Sequence, residues 1–198
     1  WCESETPASI QTTSFANIYS DAVLYVPTIE AVATYEASTW NDYFSEIKIG
    51  KKEENGMCWG LIPYGTETDK YTLWISGIKE MEDYKDANSA PWSKYADKIV
   101  AVELPSDMTH IGSYAFYNCV ALKSITIPKL VETIGEYCFA GCSALGSVTY
   151  EEDSKLTAID GYAFQGCNAL EGITIPASVS TIGEYCFNVC SALESVTF

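Results

Sequence analysis

The sequence contains no arginine, and its 11 lysines are set against 27 acidic residues, which gives a formal net charge of −16. A surface of this sign repels phosphate backbones and anionic lipid headgroups, so we expect no nucleic acid partner and no membrane insertion. No apolar run reaches the roughly 18 residues that a membrane-spanning helix needs. An initiator methionine and a secretory leader are also missing, so we expect a removed signal or a piece of a longer protein.

Histidine is nearly absent as well, which limits acid–base chemistry. His110 is the only one in the chain, and a Ser-His-Asp or Cys-His arrangement would have to use it. No nucleophile motif flanks it. Thr133, Ala158 and Thr181 occupy the equivalent position in later segments. We therefore interpret His110 as an exposed edge residue and predict that the protein is not an enzyme.

One short motif occurs four times in the second half of the chain. It has the form Ile-Gly-x-Tyr-x-Phe-x-x-Cys, with Asp160 in place of the glycine in the third copy. Its final cysteines, Cys119, Cys142, Cys167 and Cys190, lie 23, 25 and 23 residues apart. A fixed period of this size is the signature of a solenoid built from stacked repeats. Apolar residues at i, i+4, i+5 and i+8 predict a short helical turn in each copy.

Each repeat also contains a predicted strand in which apolar and polar residues alternate. In one of them the apolar residues are Leu122, Ile125 and Ile127, and Pro128 marks the strand end. The equivalent sets elsewhere begin at Ile99, Leu145, Leu170 and Leu193. The predicted fold is therefore an α/β repeat, a solenoid of five short strands and four short helical turns.

The N-terminal quarter of the chain lacks the motif. A helical pattern over residues 28–38 follows a strand-like segment, Leu24-Tyr-Val-Pro27. A solenoid needs an amphipathic element over its open end. We therefore predict that residues 1–50 are the terminal rung and helical cap of a preceding repeat module, which gives the chain a cap-like segment at its N-terminus.

The middle of the chain is predicted to contain a linker and a region that caps the first repeat. Residues 50–56 are charged and bounded by glycines, which is typical of a linker. We predict that residues 51–98 contain this linker and an N-terminal capping region, in which Trp92 covers the first repeat. Residues 99–198 are then the repeats themselves.

The eight cysteines suggest disulfides at first, but their positions favour another interpretation. Four of them end the repeated motif, and Cys138 and Cys186 stand where other copies carry Ala115 and Ala163. A position that accepts alanine or cysteine is a small buried one, and equivalent side chains on neighbouring repeats point in parallel. We therefore interpret these six as unpaired core thiols. Cys2 and Cys58 stay undecided.

Two patterns suggest metal sites, and both are weak. Cys138 and Cys142 are four residues apart, whereas zinc sites usually have a tighter Cys-x-x-Cys spacing. The carboxylates of Glu151–Asp153 and nearby Asp160 lack the alternation of a dedicated calcium loop. We interpret the acidic segment as a solvated bulge and expect no metal and no cofactor.

Together the motif and the strand read Ile-Gly-x-x-Ala-Phe-x-x-Cys-x-x-Leu-x-x-Ile-x-Ile-Pro, which resembles the BspA-type leucine-rich repeat. Residues 99–198 match it almost position by position, apart from Asp160 and a spacer that is two residues longer. The resemblance implies a leucine-rich-repeat solenoid of the kind found in bacterial surface and secreted proteins. It also implies an extracellular or cell-surface location and a non-catalytic role in adhesion or protein interaction, with a host matrix protein as one kind of ligand.

The predicted binding surface is the polar face of the strands, which we call the strand face. Regular hydroxyl rows there either serve the sheet alone or form a flat contact surface for a protein partner. Charged residues that differ between repeats flank the rows. The predicted strand-face residues are Lys123, Ser124, Thr126, Ser147, Thr149, Glu171, Thr174, Glu194, Ser195 and Thr197.

Aromatic residues offer an alternative function. Tyrosines recur in the motif, at Tyr114, Tyr137, Tyr162 and Tyr185, where each ring either covers the repeat edge or contacts a ligand. If these rings, or Trp59 and Trp74, are exposed, they would stack on sugars. The alternative prediction is a carbohydrate-binding module that uses surface aromatics.

The last strand leads to a prediction of self-association. Residues Ser195–Phe198 have no following element to cover them, and unpaired strand edges tend to find a partner. We therefore predict head-to-tail association in which residues 1–10 of one chain meet the terminal repeat of another.

Overall fold

The computed structural model describes residues 23–26, 29–38, 46–66 and 69–198. It divides into two compact units. The first comprises the described residues up to Ile62 together with Trp74–Ser76, and the second comprises Pro63–Leu73 and Gly77–Phe198. The interface predicted for residues 1–10 and Cys2 lie outside the described residues.

In the first unit, a parallel strand pair packs against a helix. Strand β1 (Val23–Val26) pairs in parallel with β2 (Glu46–Lys52), and helix α1 (Ile29–Glu36) lies between them in sequence. Leu24, Val26, Ala31 and Tyr35 form a buried cluster in this unit. The strand and the helix predicted here are both present, and their role as the cap of a preceding module stays a prediction.

The linker predicted over residues 50–56 is a β-hairpin in the structure. Strand β2 continues to Lys52 and pairs antiparallel with β3 (Cys58–Pro63), with Ile49 opposite Leu61. The Glu53 N–H donates to the Met57 carbonyl over 2.7 Å and closes the turn. The charged residues therefore belong to a solvated turn. The buried apolar residues of the hairpin, such as Ile49 and Leu61, lie in the strands before and after this turn. The division into residues 1–50, 51–98 and 99–198 remains a prediction.

The segment that enters the repeats contains β4 (Tyr71–Ser76) and a short 3₁₀ helix (Ser93–Lys98). Trp92 is buried, its indole N–H donates to the Ala115 carbonyl over 2.7 Å, and its ring stacks on Phe116. The contact expected between Trp92 and the first repeat is therefore present.

The repeats place two sets of parallel strands in the second unit. The longer strands form the strand face and occur where the sequence predicts them: β5 (Ile99–Glu103), β7 (Ser124–Ile127), β9 (Ser147–Tyr150), β11 (Gly172–Thr174) and β13 (Ser195–Thr197). A second set was not predicted as strands: β6 (His110–Ile111), β8 (Thr133–Ile134), β10 (Ala158–Ile159) and β12 (Thr181–Ile182). These short strands form one sheet in the order β12-β10-β8-β6, which we call the short-strand sheet.

The helical turns predicted within the motif are wrong, because the motif forms successive tight turns instead. Its tyrosine has a left-handed backbone in every copy, with a φ of 56° at Tyr114 and 55° at Tyr137, which interrupts a right-handed helix. Alternate N–H groups donate to the next repeat, as from Phe116 to the Cys138 carbonyl and from Asn118 to the Ala140 carbonyl, both over 2.8 Å. The repeats are therefore strands and turns with little helix, rather than α/β units.

Side chains of the motif form the core in stacked columns. Phe116, Phe139 and Phe164 are fully buried and stack with ring centroids 5.3 Å apart at each step. The thiols of Cys142 and Cys167 donate to the carbonyls of Phe116 and Phe139 in the preceding repeat. The apolar periodicity of the sequence thus identified the inward positions correctly, although it assigned them to helices.

The seven cysteines among the described residues are free thiols, as predicted for the six in the motif, although Cys190 is half-buried rather than buried. Cys58, Cys119, Cys138, Cys142, Cys167, Cys186 and Cys190 are all unpaired by disulfides. Burial raises the pKa of Cys138 and Cys142 well above the ordinary thiol value and that of Cys186 to about 12. These three thiols therefore stay protonated and act as small apolar side chains.

Candidate binding face

All ten predicted strand-face residues are exposed. The alternation that puts Ile125 and Ile127 in the core turns Ser124 and Thr126 to solvent, and the parallel register places Thr126 beside Thr149. The geometry expected of the face is therefore present, and its role in binding remains a prediction.

The threonine row is interrupted in the middle rather than continuous. The hydroxyls of Thr126 and Thr149 are hydrogen-bonded at 2.9 Å, and so are those of Thr174 and Thr197. The backbone shows the same division, because β7 pairs with β9 and β11 pairs with β13 as two separate sheets. Within residues 69–198, no hydrogen-bonded ladder joins β9 to β11.

Two sequence differences coincide with this interruption. Tyr150 occupies the inward position that Ile127 and Ile175 fill in the neighbouring strands, so a larger side chain enters the core there. The connection after it, residues 151–157, is two residues longer than residues 128–132 after β7. The sequence showed the longer spacer, but the consequence for strand pairing depends on how the tyrosine packs.

The longer connection bulges outward and is tied to the repeat before it. The N–H of Glu151, which stands where other repeats have proline, donates to the Ile127 carbonyl over 3.1 Å. The carboxylate of Glu151 accepts the Lys129 N–H over 2.8 Å, and the Lys129 ammonium contacts Asp153 at 3.1 Å. Glu151, Glu152 and Asp153 are exposed, so the solvated acidic bulge is as interpreted from the sequence.

A groove with a volume of about 880 Å³ lies at the interruption. Ser147, Thr149, Thr174, Ser195 and Thr197 of the predicted face line it. The acidic bulge and the turn after β11 complete it, with Glu151, Asp153, Ser154, Pro176, Ala177 and Ser178. The structure thus gathers half of the predicted face around one concave feature, whereas Lys123, Ser124, Thr126, Glu171 and Glu194 do not line it.

Tyr150 is the residue of this region that sequence reasoning missed. Its ring is mostly buried, and within the described structure its hydroxyl oxygen has no hydrogen-bond partner. Burial, followed by the nearby Cys186, raises the pKa of Tyr150 well above the ordinary value. The sequence did contain a signal for this residue, since Tyr150 replaces isoleucine in the same repeat that has the longer spacer.

We expect Tyr150→Phe to raise the free energy of unfolding by about 1 kcal/mol, because a buried hydroxyl without a partner loses its hydration and gains nothing. Chemical denaturation followed by circular dichroism measures the change. Tyr185→Phe is the control, since Tyr185 is 58% exposed and its hydroxyl reaches water. A clear loss of stability in Tyr150→Phe would contradict this account.

His110 is not the exposed edge residue expected from the sequence. It lies half-buried in β6, with Nδ1 in hydrogen-bond contact with Thr133 and Nε2 3.2 Å from the Asp83 carboxylate. The Ser113 hydroxyl donates to the same Asp83 oxygen over 2.7 Å. Partial burial raises the pKa of Asp83, but hydrogen bonds from Ser113 and His110 outweigh it and hold this pKa below its ordinary value. These contacts tie the entry segment, through Asp83, to the first repeat. The Ser113 hydroxyl pairs with the Asp83 carboxylate rather than with the His110 imidazole.

The tryptophans proposed to bind sugars do not form an exposed platform. Trp59 is 3% exposed, and its indole N–H donates to Glu53 over 2.9 Å. Trp74 is half-buried and contacts the Tyr25 ring edge-to-face at 5.4 Å. The carbohydrate-binding alternative therefore gains no support from Trp59 or Trp74. The burial of Trp59 was not expected, because it depends on the hairpin of β2 and β3.

The repeated tyrosines stack on one another along the turns. Ring centroids are 4.9 Å apart between Tyr114 and Tyr137, 4.6 Å between Tyr137 and Tyr162, and 5.1 Å between Tyr162 and Tyr185. Tyr114, Tyr137 and Tyr162 are half-buried. Ring packing between repeats therefore accounts for this row.

Metal ligands are not clustered in the part of the chain that the structure describes. No three or more histidine, cysteine, aspartate or glutamate side chains there come together in a group that would hold a metal ion. Over the same part of the chain, no helix has the length and apolar character needed to cross a membrane.

The fold and its repeat period define a leucine-rich-repeat β-solenoid. The family model for the BspA-type leucine-rich repeat region matches residues 94–198 in six copies. The chain therefore belongs to the BspA-type leucine-rich repeat family.

Solved structures of leucine-rich repeat proteins share this fold. One from Eubacterium ventriosum is 27% identical, with a TM-score of 0.58 over 75% of this chain. Another, from Bacteroides ovatus, is 28% identical, with a TM-score of 0.50 over 70% of this chain. The chain spans 43% and 39% of the length of these two proteins. No curated protein matches it.

Proposed function

We propose that the protein is a non-catalytic recognition protein that binds a protein partner through its strand face. The observation that supports this most directly is an exposed, regular row of hydroxyls held in register by Thr126–Thr149 and Thr174–Thr197 hydrogen bonds. Repeat solenoids use such extended faces to bind partners. Family membership is consistent with a role in protein interaction.

The face also carries charges that distinguish one end from the other. The Lys123 ammonium lies 5.9 Å from the centre of the Tyr64 ring, a cation–π arrangement. Glu171 and Glu194 occupy the equivalent positions near the opposite end. A partner with a matching distribution of charge would bind in one orientation.

We further propose an extracellular or cell-surface setting, with adhesion to a host matrix protein as the specific role. The family resemblance supports this setting. Head-to-tail association also remains a proposal. Val189, Val196 and Phe198 of the last repeat are exposed, and either a second copy or a further repeat would cover them.

The strand face is tested with a panel of purified extracellular-matrix proteins probed by surface plasmon resonance. The double variant Thr149→Arg/Thr174→Arg places two bulky charges on the face, and we expect at least a tenfold loss of affinity for any matrix protein bound by the wild type, or roughly 1.4 kcal/mol. Thr157→Arg/Thr181→Arg is the matched control, since both residues are exposed at the short-strand sheet. If binding survives Thr149→Arg/Thr174→Arg and is lost in Thr157→Arg/Thr181→Arg, the strand face is not the binding surface.

A further inference from the structure

The groove between β9 and β11 combines three properties that a flat hydroxyl row lacks. It is concave, it lies where no ladder joins two neighbouring strands, and acidic side chains line one end of it. Its volume of about 880 Å³ falls in the range of ligand-binding clefts, roughly 300–1,000 Å³.

The exposed hydroxyls determine the shape of a suitable ligand. Residues of β9 and β11 have Cα atoms within 8 Å of each other, whereas a strand added between them would need about twice the ~4.8 Å strand spacing, so a ligand lies across the strands rather than between them. The hydroxyls of Ser147, Thr149 and Thr174 line the groove and offer both donors and acceptors. An extended peptide supplies complementary backbone groups along its whole length.

The charges determine the composition of that ligand. Glu151 and Asp153 line one end of the groove. Glu171 and Glu194 do not line it, but they are exposed immediately before β11 and β13, whose residues do. The Lys129 ammonium offsets part of the Asp153 charge, but Glu151 remains and the chain as a whole carries a net charge of −16. Basic side chains are therefore attracted, whereas acidic ones are repelled.

A sugar fits the groove less well. Saccharide binding usually relies on an exposed aromatic ring against which the sugar stacks. The aromatic residue among the lining residues is Tyr150, whose ring is largely buried and whose hydroxyl is covered.

We propose that the groove at the interruption between β9 and β11 binds a basic, extended peptide segment of a protein partner. This inference rests on the proposed protein-binding function and makes it more specific. Tyr150 and the bulge at residues 151–157 are the sequence features that distinguish this site from the paired strands on either side. They position the groove, and the exposed hydroxyls and carboxylates contact the peptide.

The test uses a random-peptide library displayed on phage, panned against the wild-type protein, followed by fluorescence anisotropy with the enriched peptides. We expect enrichment of lysine- or arginine-containing peptides. Gly146→Tyr should lower their affinity at least roughly tenfold by filling the groove. Gly146 tolerates a side chain, because an added Cβ would meet only the Ala169 carbonyl, at 3.6 Å. Thr181→Tyr adds the same ring at the short-strand sheet and should leave affinity unchanged.

A second pair of variants tests the charges. Glu151→Gln/Asp153→Asn keeps the shape of the bulge, since asparagine tolerates the left-handed backbone of Asp153, with φ of 57°. We expect a roughly three- to tenfold loss of affinity and a weaker dependence on salt. Glu136→Gln/Glu184→Gln removes two exposed carboxylates beside the stacked tyrosines and should have no such effect.

The inference is overturned if basic peptides are not enriched, or if Gly146→Tyr and Thr181→Tyr bind them equally well. Either result leaves the proposed function intact when Thr149→Arg/Thr174→Arg still abolishes binding of a matrix protein. Conversely, if Thr149→Arg/Thr174→Arg leaves the affinity for a matrix protein unchanged, the proposed function is wrong, regardless of the result with peptides. Thermal unfolding of every variant confirms that the repeats remain folded.

Discussion

Gly135→Ala is expected to lower the free energy of unfolding by roughly 3 kcal/mol or more, the upper part of the range for overpacked interiors. A Cβ at this position would lie 2.4 Å from the Ser113 nitrogen and 2.8 Å from the Gly112 carbonyl carbon. Both are backbone atoms of the preceding repeat, so no side-chain rotation relieves the clash. The glycine of the motif is thus required by the close approach of successive turns.

The matched control is Gly146→Ala, the same chemical change in the same repeat. An added Cβ there makes only an ordinary contact, 3.6 Å from the Ala169 carbonyl, so we expect a change within about 0.5 kcal/mol. Urea denaturation followed by circular dichroism measures both. Equal changes in the free energy of unfolding for the two substitutions would show that the close approach of successive turns is not the reason for glycine at position 135.

Phe139→Ala is expected to cost about 3–5 kcal/mol, because it empties a fully buried position between two stacked rings. The remaining cavity does not collapse easily, since the hydrogen bonds between repeats fix the backbone on both sides. In a linear array each repeat is stabilised by its neighbours, so the loss weakens two interfaces.

Phe187→Ala provides the comparison for this prediction. Phe187 is half-buried and stacks on Phe164 at 5.7 Å, so less apolar contact is lost and water already reaches the site. We expect less than half of the Phe139→Ala effect in the same denaturation experiment. A larger loss in Phe187→Ala would mean that the stacked column does not stabilise the centre of the array.

Sequence patterns located the repeats and most of the core. The Ile-x-Ile alternation of residues 124–127 predicted a strand with Ile125 and Ile127 inside, and both are buried. The same reasoning failed for the hairpin at residues 50–56, because a charged, glycine-bounded turn and a linker have the same composition. It also failed for Trp59, whose burial depends on the pairing of β2 with β3.

The candidate site was predictable as a face but not as a groove. Exposure of Thr149 and Thr174 follows from strand alternation, which is a local property of the backbone. The interruption between them coincides with Tyr150 in an inward position and with the longer path of residues 151–157, and it depends on contacts between repeats. The 25-residue spacing between Cys142 and Cys167 marked this repeat in the sequence but did not reveal that strand pairing is interrupted there.

By itself, therefore, the sequence determined the period, the strand positions and the inward-facing residues, since each depends on the regular recurrence of side-chain types along the chain. Only the tertiary structure decided that the motif forms turns rather than helices, because its N–H groups are satisfied by the next repeat. It also decided that the strand face divides between β9 and β11, because strand pairing depends on contacts between repeats, which no single stretch of sequence contains.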